Sequence, residues 1–407
     1  MKLHFAGFKD EVGSPVNEGL NALRYAESLG HEQPILFGYT PLARMNPFQG
    51  LLYKSFWNEG FAVTPVAKAS NFDKLVALKE FASTVAVHLH WHSAVLAGAS
   101  SRGEARSRLA DFRDQIDSFK QSGGKLVWTV HNLLPHDAKF VDEEIELQAF
   151  IADSSDVVHT MSHSTVEAMN GLLTLDAKRI LMAPHPSYLG GYEDYVSRHE
   201  ARVTLGLRED ETVYVILGAL KPYKGLREFL AGFDEFAAQA RPDHKLIIAG
   251  EPDGSAEVME FVKLAKRHPQ VLIDDRKIPA SLVQYYMRAA DFSVVPYLRS
   301  LNSGAALLGA TFGLPVIASR QGSLTEVLGE EFAEFLPDDS PRGIASALMR
   351  AQRLRKPEAN EAASTFAAQL APSTVSTAFA RSLRSRLLPA GTQTPANHAG
   401  TAFSASL

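Results

Sequence analysis

Residues 292–328 read FSVVPYLRSLNSGAALLGATFGLPVIASRQGSLTEVL. Two runs, FSVVPY and PVIAS, are short and apolar almost without a break, as strands buried on both faces of a parallel sheet are. Between them a polar loop leads to Asn302, Ser303 and Gly304 and then to a run of small residues, Ala305 to Thr311. Asn or Ser is a good helix cap, and Gly313 suits the helix end. Strand, helix, strand in this compass is one unit of a parallel α/β sheet.

The same alternation extends in both directions. Upstream and downstream, TVYVILGAL, HKLIIAG, VLIDDR and FAEFLP read as further strands, with helical patterns near 224–240, 255–267, 279–290, 303–312, 322–329 and 341–352. The first half repeats the theme: QPILFGYT, FAVTPV, TVAVHLHW, KLVWTVHN, DVVHTMS and RILMAPH are strands, separated by helices near 46–59, 71–82, 103–122, 142–152 and 164–169. The fold class is therefore α/β, with two Rossmann-like doubly wound domains facing a cleft. The expected boundaries are 1–190 for the first domain and 200–357 for the second, with a linker near 186–200. A helical stretch at 358–388 closes the chain, and the small polar tail 389–407 is expected to be disordered. An extra N-terminal helix is expected in NEGLNALRYAESLG.

Composition narrows the function. The chain has 407 residues, 45% hydrophobic and 21% charged, in the range of a soluble globular protein. A net charge of -5 gives no reason to expect nucleic acid as a partner. With no cysteine there is no disulfide, thiolate zinc site or thiol nucleophile, which fits a reducing, cytoplasmic setting. The N-terminus lacks a signal peptide's apolar core, and no apolar run approaches the ~20 residues that span a bilayer.

Ligands of open α/β sheets bind beyond the carboxyl ends of the strands. In the second domain three loops meet that condition. LGALKPYKGLREFL puts Lys221 and Lys224 in a turn before a helix, a place that favours an anion. The loop around Asn302, Ser303 and Gly304 opens a helix with exposed amides and little side-chain bulk, so that a diphosphate can approach the backbone. SRQGSLTEVL places Glu326 in a first helical turn, where it complements the helix dipole or faces a ligand hydroxyl.

In the first domain, VAVHLHWHSAV spans residues 85–95, with His88, His90 and His92 at alternating positions. On a strand, such residues share a face. A metal site is one reading, but no acidic residue occurs between 81 and 103 and no thiolate is available, whereas catalytic zinc needs three protein ligands. The preferred reading assigns no metal: His88 packs in the core, while His90 and Trp91 line the cleft. LVWTVHNLLPHD ends a neighbouring strand near His131 and Asn132, with His136 in the same loop.

Residues 213–335, through GALKPYKGL, LIIAGEPDG, IDDRKIPASLVQYYMRAADFSVVPY and SGAALLGATFGLPVIASRQGSLTEVL, resemble the donor domain of the family 4 (group 1) glycosyltransferases of GT-B fold. HLHW and TVHNLLPHD resemble, more loosely, the acceptor domain. The resemblance implies a nucleoside diphosphate-sugar donor as substrate, no cofactor, and a saccharide or lipid-linked acceptor in polysaccharide or glycoconjugate synthesis. By the same resemblance Lys224 neutralises the diphosphate, Ile278 lies in the loop whose backbone meets the base, and His131 is the active-site histidine that touches the donor sugar. Departures are expected to matter. The family arginine is Ala219 here, with Lys221 nearby to replace its charge, and the two family glutamates fall on Leu301 and Gly309. Retaining members use the departing phosphate as the base and need no metal; an inverting enzyme would call on His90, His131 or Asp137. A catalytically silent nucleotide-sugar-binding protein and an epimerase of the same fold are the alternatives. The terminal FARSLRSRLLPAG is read as a closing helix crossing back to the first domain, with peripheral contact at the inner membrane face as a second reading.

Overall fold

The computed structural model describes residues 14–43, 46–134, 138–240, 243–299 and 301–388. The chain forms two compact units. The first contains the described residues up to Pro184 together with those from Ser373 onward; the second is His185–Pro372.

The first unit is built on strands β1 (Ile35–Thr40), β2 (Phe61–Pro65), β3 (Thr84–Leu89), β4 (Lys125–Thr129), β5 (Val157–Thr160) and β6 (Ile180–Met182). They pair in parallel in the order β2-β1-β3-β4-β5-β6. The second carries β7 (Thr212–Leu217), β8 (His244–Ala249), β9 (Val271–Asp274), β10 (Phe292–Val295), β11 (Val316–Ser319) and β12 (Ala333–Leu336). These are also parallel, in the order β12-β11-β10-β7-β8-β9. All twelve apolar runs of the sequence are strands, because a buried parallel strand shows solvent neither face. Strand order reverses between β1 and β3 in one unit and between β7 and β10 in the other.

Helices follow the sequence less closely, for local reasons. The pattern at 46–59 breaks into Phe48–Leu52 and a 3-10 turn, Phe56–Glu59. There the backbone N–H of Ser55 donates to Ser376 Oγ at 2.8 Å. The expected helix at 322–329 shrinks to Leu324–Val327. The expected linker is no free tether: Ser187 N–H donates to the Leu370 carbonyl, and Tyr195 and Val196 N–H to Gln284 Oε1, all inside the second unit.

The stretch 358–388, expected as one closing segment, divides at Pro372, which has no N–H to continue a helix. Pro357–Gln369 packs its Ala359, Ala363 and Ala367 on the second unit. Pro372–Leu387 lays Phe379, Leu383 and Leu387 into the core of the first, beside Phe37, Phe56 and Phe61. Its arginines are held by protein groups: Arg381 by Glu59 at 3.0 Å, Arg384 by the carbonyls of Glu59 and Gly60, and Arg386 by that of Lys178. Among the described residues no helix is long and apolar enough to cross a membrane. The tail 389–407 lies outside the described residues.

Phe379 is fully buried, with its ring 4.4 Å from His159 and 5.8 Å from Phe56. Phe379→Ala is expected to destabilise the first unit by about 3–5 kcal/mol, the cost of emptying an aromatic site. Denaturant unfolding checks this: an unchanged midpoint would mean that the helix does not complete this core.

Candidate functional site

The reversal between β7 and β10 brings two loops together in the second unit. After β7, Gly218 takes φ 114° and Gly225 takes φ 63°, a region costly for any residue with a Cβ. At Gly225 a Cβ would also lie 2.2 Å from the Pro296 carbonyl oxygen, so only glycine lets the loop after β7 cross the loop after β10. Leu298 N–H then donates to the Tyr223 carbonyl at 2.8 Å and joins them.

Lys224 sits at this crossing and is only 6% exposed. Its ammonium lies against the face of Tyr297, 5.3 Å from the ring centroid, and 3.1 Å from where a Cβ on Gly218 would be. No carboxylate pairs with it among the described residues. Burial, opposed by Tyr223 and reinforced by the nearby charge of Lys221, lowers its pKa from 10.5 to about 8.

The next wall is the start of the helix Gly304–Thr311. Ser303 caps it by accepting from Ala306 N–H, and also bonds Tyr297. A Cβ on Gly304 would strike Tyr188 Oη at 2.4 Å and stand 3.6 Å from His185 Nε2. Tyr188 is fastened by its N–H to Thr311 Oγ1 at 3.0 Å. His185 donates from Nδ1 to the Pro186 carbonyl, which leaves Nε2 as an acceptor, and burial lowers its pKa to about 4. The result is a cluster of a buried cation, a capped helix start, two tyrosine hydroxyls and a neutral imidazole, groups suited to an anion with adjoining hydroxyls.

Of the residues expected in this domain, Lys221, Lys224, Ser303 and Gly304 converge here, with Asn302 next to the cap. Ile278 is half-buried after the edge strand β9, and Glu326 is exposed on its short helix. Leu301 is buried. Gly309 faces the sheet, where a Cβ would come within 2.4 Å of Ser293 Cβ, so a carboxylate at that position would point away from the cradle. Sequence reasoning missed His185, Tyr188 and Tyr297. The signal was PHPSY, a dense polar and aromatic group just after β6, passed over as linker.

In the first unit the three histidines part company. His88 and His90 share one face of β3, with ring centroids 4.1 Å apart. His92 leaves the strand in a short turn and meets Trp128, and burial lowers its pKa to about 4. His90 does not line an open surface: it is 0% exposed. The residue above it is His131, half-buried at the carboxyl end of β4 and held by His90 Nδ1 at 3.0 Å. Trp91 stacks on His131 at 4.3 Å and 21°, and Phe48 meets it edge-on at 5.2 Å. Phe48 comes from the loop after β1, so the β1/β3 reversal places its loops around this imidazole. Both ring nitrogens of His88 and of His90 are spent in hydrogen bonds to Tyr53, Thr129 and His131, which leaves neither ring a lone pair for a metal. Asn132 is half-buried beside His131. His136 and Asp137 lie outside the described residues.

With this geometry in view, comparison with known proteins gives the class. Residues 211–353 match the family model described as glycosyl transferases group 1, so the second unit is related to these glycosyltransferases, as its motifs implied. A D-inositol 3-phosphate glycosyltransferase of Segniliparus rotundus is 30% identical over 164 residues, 38% of this chain and 36% of the relative. One from Jonesia denitrificans is 24% identical over 240 residues, 55% and 57% of the two chains. The matches thus span about a third to just over half the length of these curated relatives. Two solved structures are similar over 87% of this chain. A sucrose-phosphate synthase from Thermosynechococcus elongatus has TM-score 0.64 at 17% identity, covering 98% of that chain. Anabaena HepE, in complex with UDP and glucose, has TM-score 0.62 at 15% identity, covering 100%. At these identities the likeness shows the fold, two Rossmann-like units of the GT-B class.

A buried lysine with no carboxylate partner among the described residues burdens the fold. Below pH 8 the ammonium is charged in both folded and unfolded states, and the folded state bears the full penalty, on the order of 3 kcal/mol. As pH rises from about 8 to 10.5 the folded protein releases this proton first, and the penalty disappears. Lys224→Met is therefore expected to be more stable than the wild type at pH 7, with the gap closing across that window. Urea unfolding of both proteins at several pH values checks this; parallel curves would contradict it.

Proposed function

We propose that the protein is a glycosyltransferase that moves a sugar from a nucleoside diphosphate-sugar to a saccharide or glycolipid acceptor, with retention and without a metal. The observation that carries this reading is Lys224, buried with no carboxylate partner among the described residues beside the capped start of Gly304–Thr311, within the segment related to group 1 glycosyltransferases. A diphosphate supplies the missing negative charge. As the bond from the sugar carbon to the diphosphate breaks, charge grows on the departing oxygen, and Lys224, Lys221 and the amides of the helix start stabilise it. These fixed positive groups do the work a metal would otherwise do. The acceptor oxygen bonds to the sugar carbon, and its proton passes to the departing phosphate, so no side-chain base is needed. His131 takes the part of the histidine that touches the donor sugar. A lipid-linked acceptor would bring the enzyme to the inner face of the membrane.

HepE has been solved with UDP-glucose, which puts uridine diphosphate first in a donor panel. The absence of a carboxylate at Leu301 and Gly309 favours a second reading, a silent nucleotide-sugar-binding protein. Turnover separates the two.

Thermal unfolding with UDP, GDP, ADP and their sugars is expected to show stabilisation by at least one of them, about 2.7 kcal/mol at a hundredfold excess over Kd. Lys224→Ala is expected to lose that stabilisation. His131→Ala is expected to keep it while lowering sugar transfer, and transfer by the wild type is expected to persist in chelator. If no diphosphate stabilises the protein, or if Lys224→Ala is stabilised equally, the reading fails.

A further inference from the structure

The second unit has a cavity of about 590 Å³ away from the lysine turn. Asp291, just before β10, and Leu314, just before β11, place it at the amino ends of the strands, whereas Lys224 and Ser303 follow carboxyl ends. The two places share no residue. The volume suits a small organic ligand, for which pockets of about 300–1,000 Å³ are usual. Met287, Phe312, Leu314 and Leu354 are buried and give the cavity an apolar floor. Tyr195 also lines it and is 73% exposed, yet its N–H is given to Gln284 Oε1 at 3.0 Å and its hydroxyl to Glu193 at 3.2 Å. A ring pinned at both ends and left in solvent is a surface on which a cyclic ligand can lie.

The charged groups of the lining do not balance. They are Arg198, Arg288, Arg355 and Lys356 against Asp194 and Asp291. Asp194 is occupied: Arg288 grips both its oxygens, at 2.6 and 2.5 Å, with its guanidinium over the Phe312 ring at 5.4 Å. Asp291 is shared. Arg198 takes Oδ1 at 2.7 Å, while the buried Arg202 and the N–H of Val213 take Oδ2 at 3.0 and 2.8 Å. One carboxylate thus answers two guanidinium groups. Arg355 and Lys356 follow one another in the chain and are exposed, and no carboxylate pairs with either among the described residues.

We propose that this cavity binds a small phosphomonoester, its phosphate held by Arg355 and Lys356 and its ring laid between Tyr195 and the apolar floor. The surplus of positive charge selects an anion and rejects a metal ion. A phosphomonoester carries about two negative charges at neutral pH, which matches two uncommitted cations better than the single charge of a carboxylate does. Arg355 adds a planar fork of donors that fits phosphate oxygens, and Lys356 a mobile point charge. The floor and Tyr195 give a reason for the ligand to carry a ring, since inorganic phosphate would leave both in water. Lys356 and Pro357 also open the helix Pro357–Gln369 without a side-chain cap, and the positive end of a helix adds to the same preference. None of this depends on sugar transfer.

Calorimetric titration of the full-length protein with phenyl phosphate, glucose 6-phosphate and inorganic phosphate tests the site. At least one of the two esters is expected to bind, at one site and more tightly than inorganic phosphate. In Arg355→Ala/Lys356→Ala the affinity for that ester is expected to fall at least about tenfold, since charge-assisted bonds are lost. Both residues are exposed, so the fold should not depend on them. Tyr195→Ala, on a different element, is expected to weaken the ester and leave inorganic phosphate unchanged. Lys224→Ala is expected to bind the ester as the wild type does. The proposal is overturned if neither ester binds or if the double variant binds equally well. It is also overturned if Lys224→Ala abolishes binding, which would put the ester in the cradle. A protein that binds an ester here and transfers no sugar would sink the proposed function and leave this site standing.

Discussion

Where the strand order of a parallel sheet reverses, the two adjacent loops leave toward opposite faces and the backbone cannot fill the space between them. Both candidate sites follow from that constraint. In the second unit it brings the lysine turn after β7 against the loop after β10, and Gly225 allows the two to cross. In the first it brings Phe48, from the loop after β1, against Trp91, from the loop after β3, with His131 of the next strand between them. The residues brought together at each reversal come from loops rather than from the sheet, so their identity can be chosen for chemistry.

The sheets were legible because burial on both faces writes a strand as an unbroken apolar run, and every such run was a strand. Lys224 and Ser303 were legible for a related reason: a charge or a cap just after a strand has few structural uses. Failures came where a distant part of the chain decides. Ser55 breaks a helical pattern because its N–H finds a hydroxyl far along the chain, at Ser376. Pro372 marks the split of the closing segment, but nothing local says that the halves join different cores. Tyr188 and His185 lie in a stretch with no period, and only the third dimension lays them over Gly304.

The histidine row shows the limit most clearly. Period two puts His88 and His90 on one face, and the structure agrees. Alternation cannot say whether that face meets solvent, ligand or protein. A pair of imidazoles is expected at a surface, because burying them costs free energy unless each nitrogen has a partner. Here the partners are Tyr53, Thr129 and His131, contributed by two stretches of chain far from the strand in sequence. A fully satisfied network of this kind is rigid, since moving one ring leaves two buried groups unpaired.

The two units answer opposite electrostatic demands of the proposed reaction. A departing diphosphate gathers negative charge, and in the proposed reaction it meets Lys224, an ammonium group that is buried and has no carboxylate partner among the described residues. That group destabilises the fold on its own and would set up a strong field at a bound phosphate. The sugar carbon, by contrast, gathers positive charge as the bond breaks. A cationic imidazole near it would oppose the reaction. In the first unit burial lowers the pKa of His88 and His90 well below the usual imidazole range, so these two rings are held neutral.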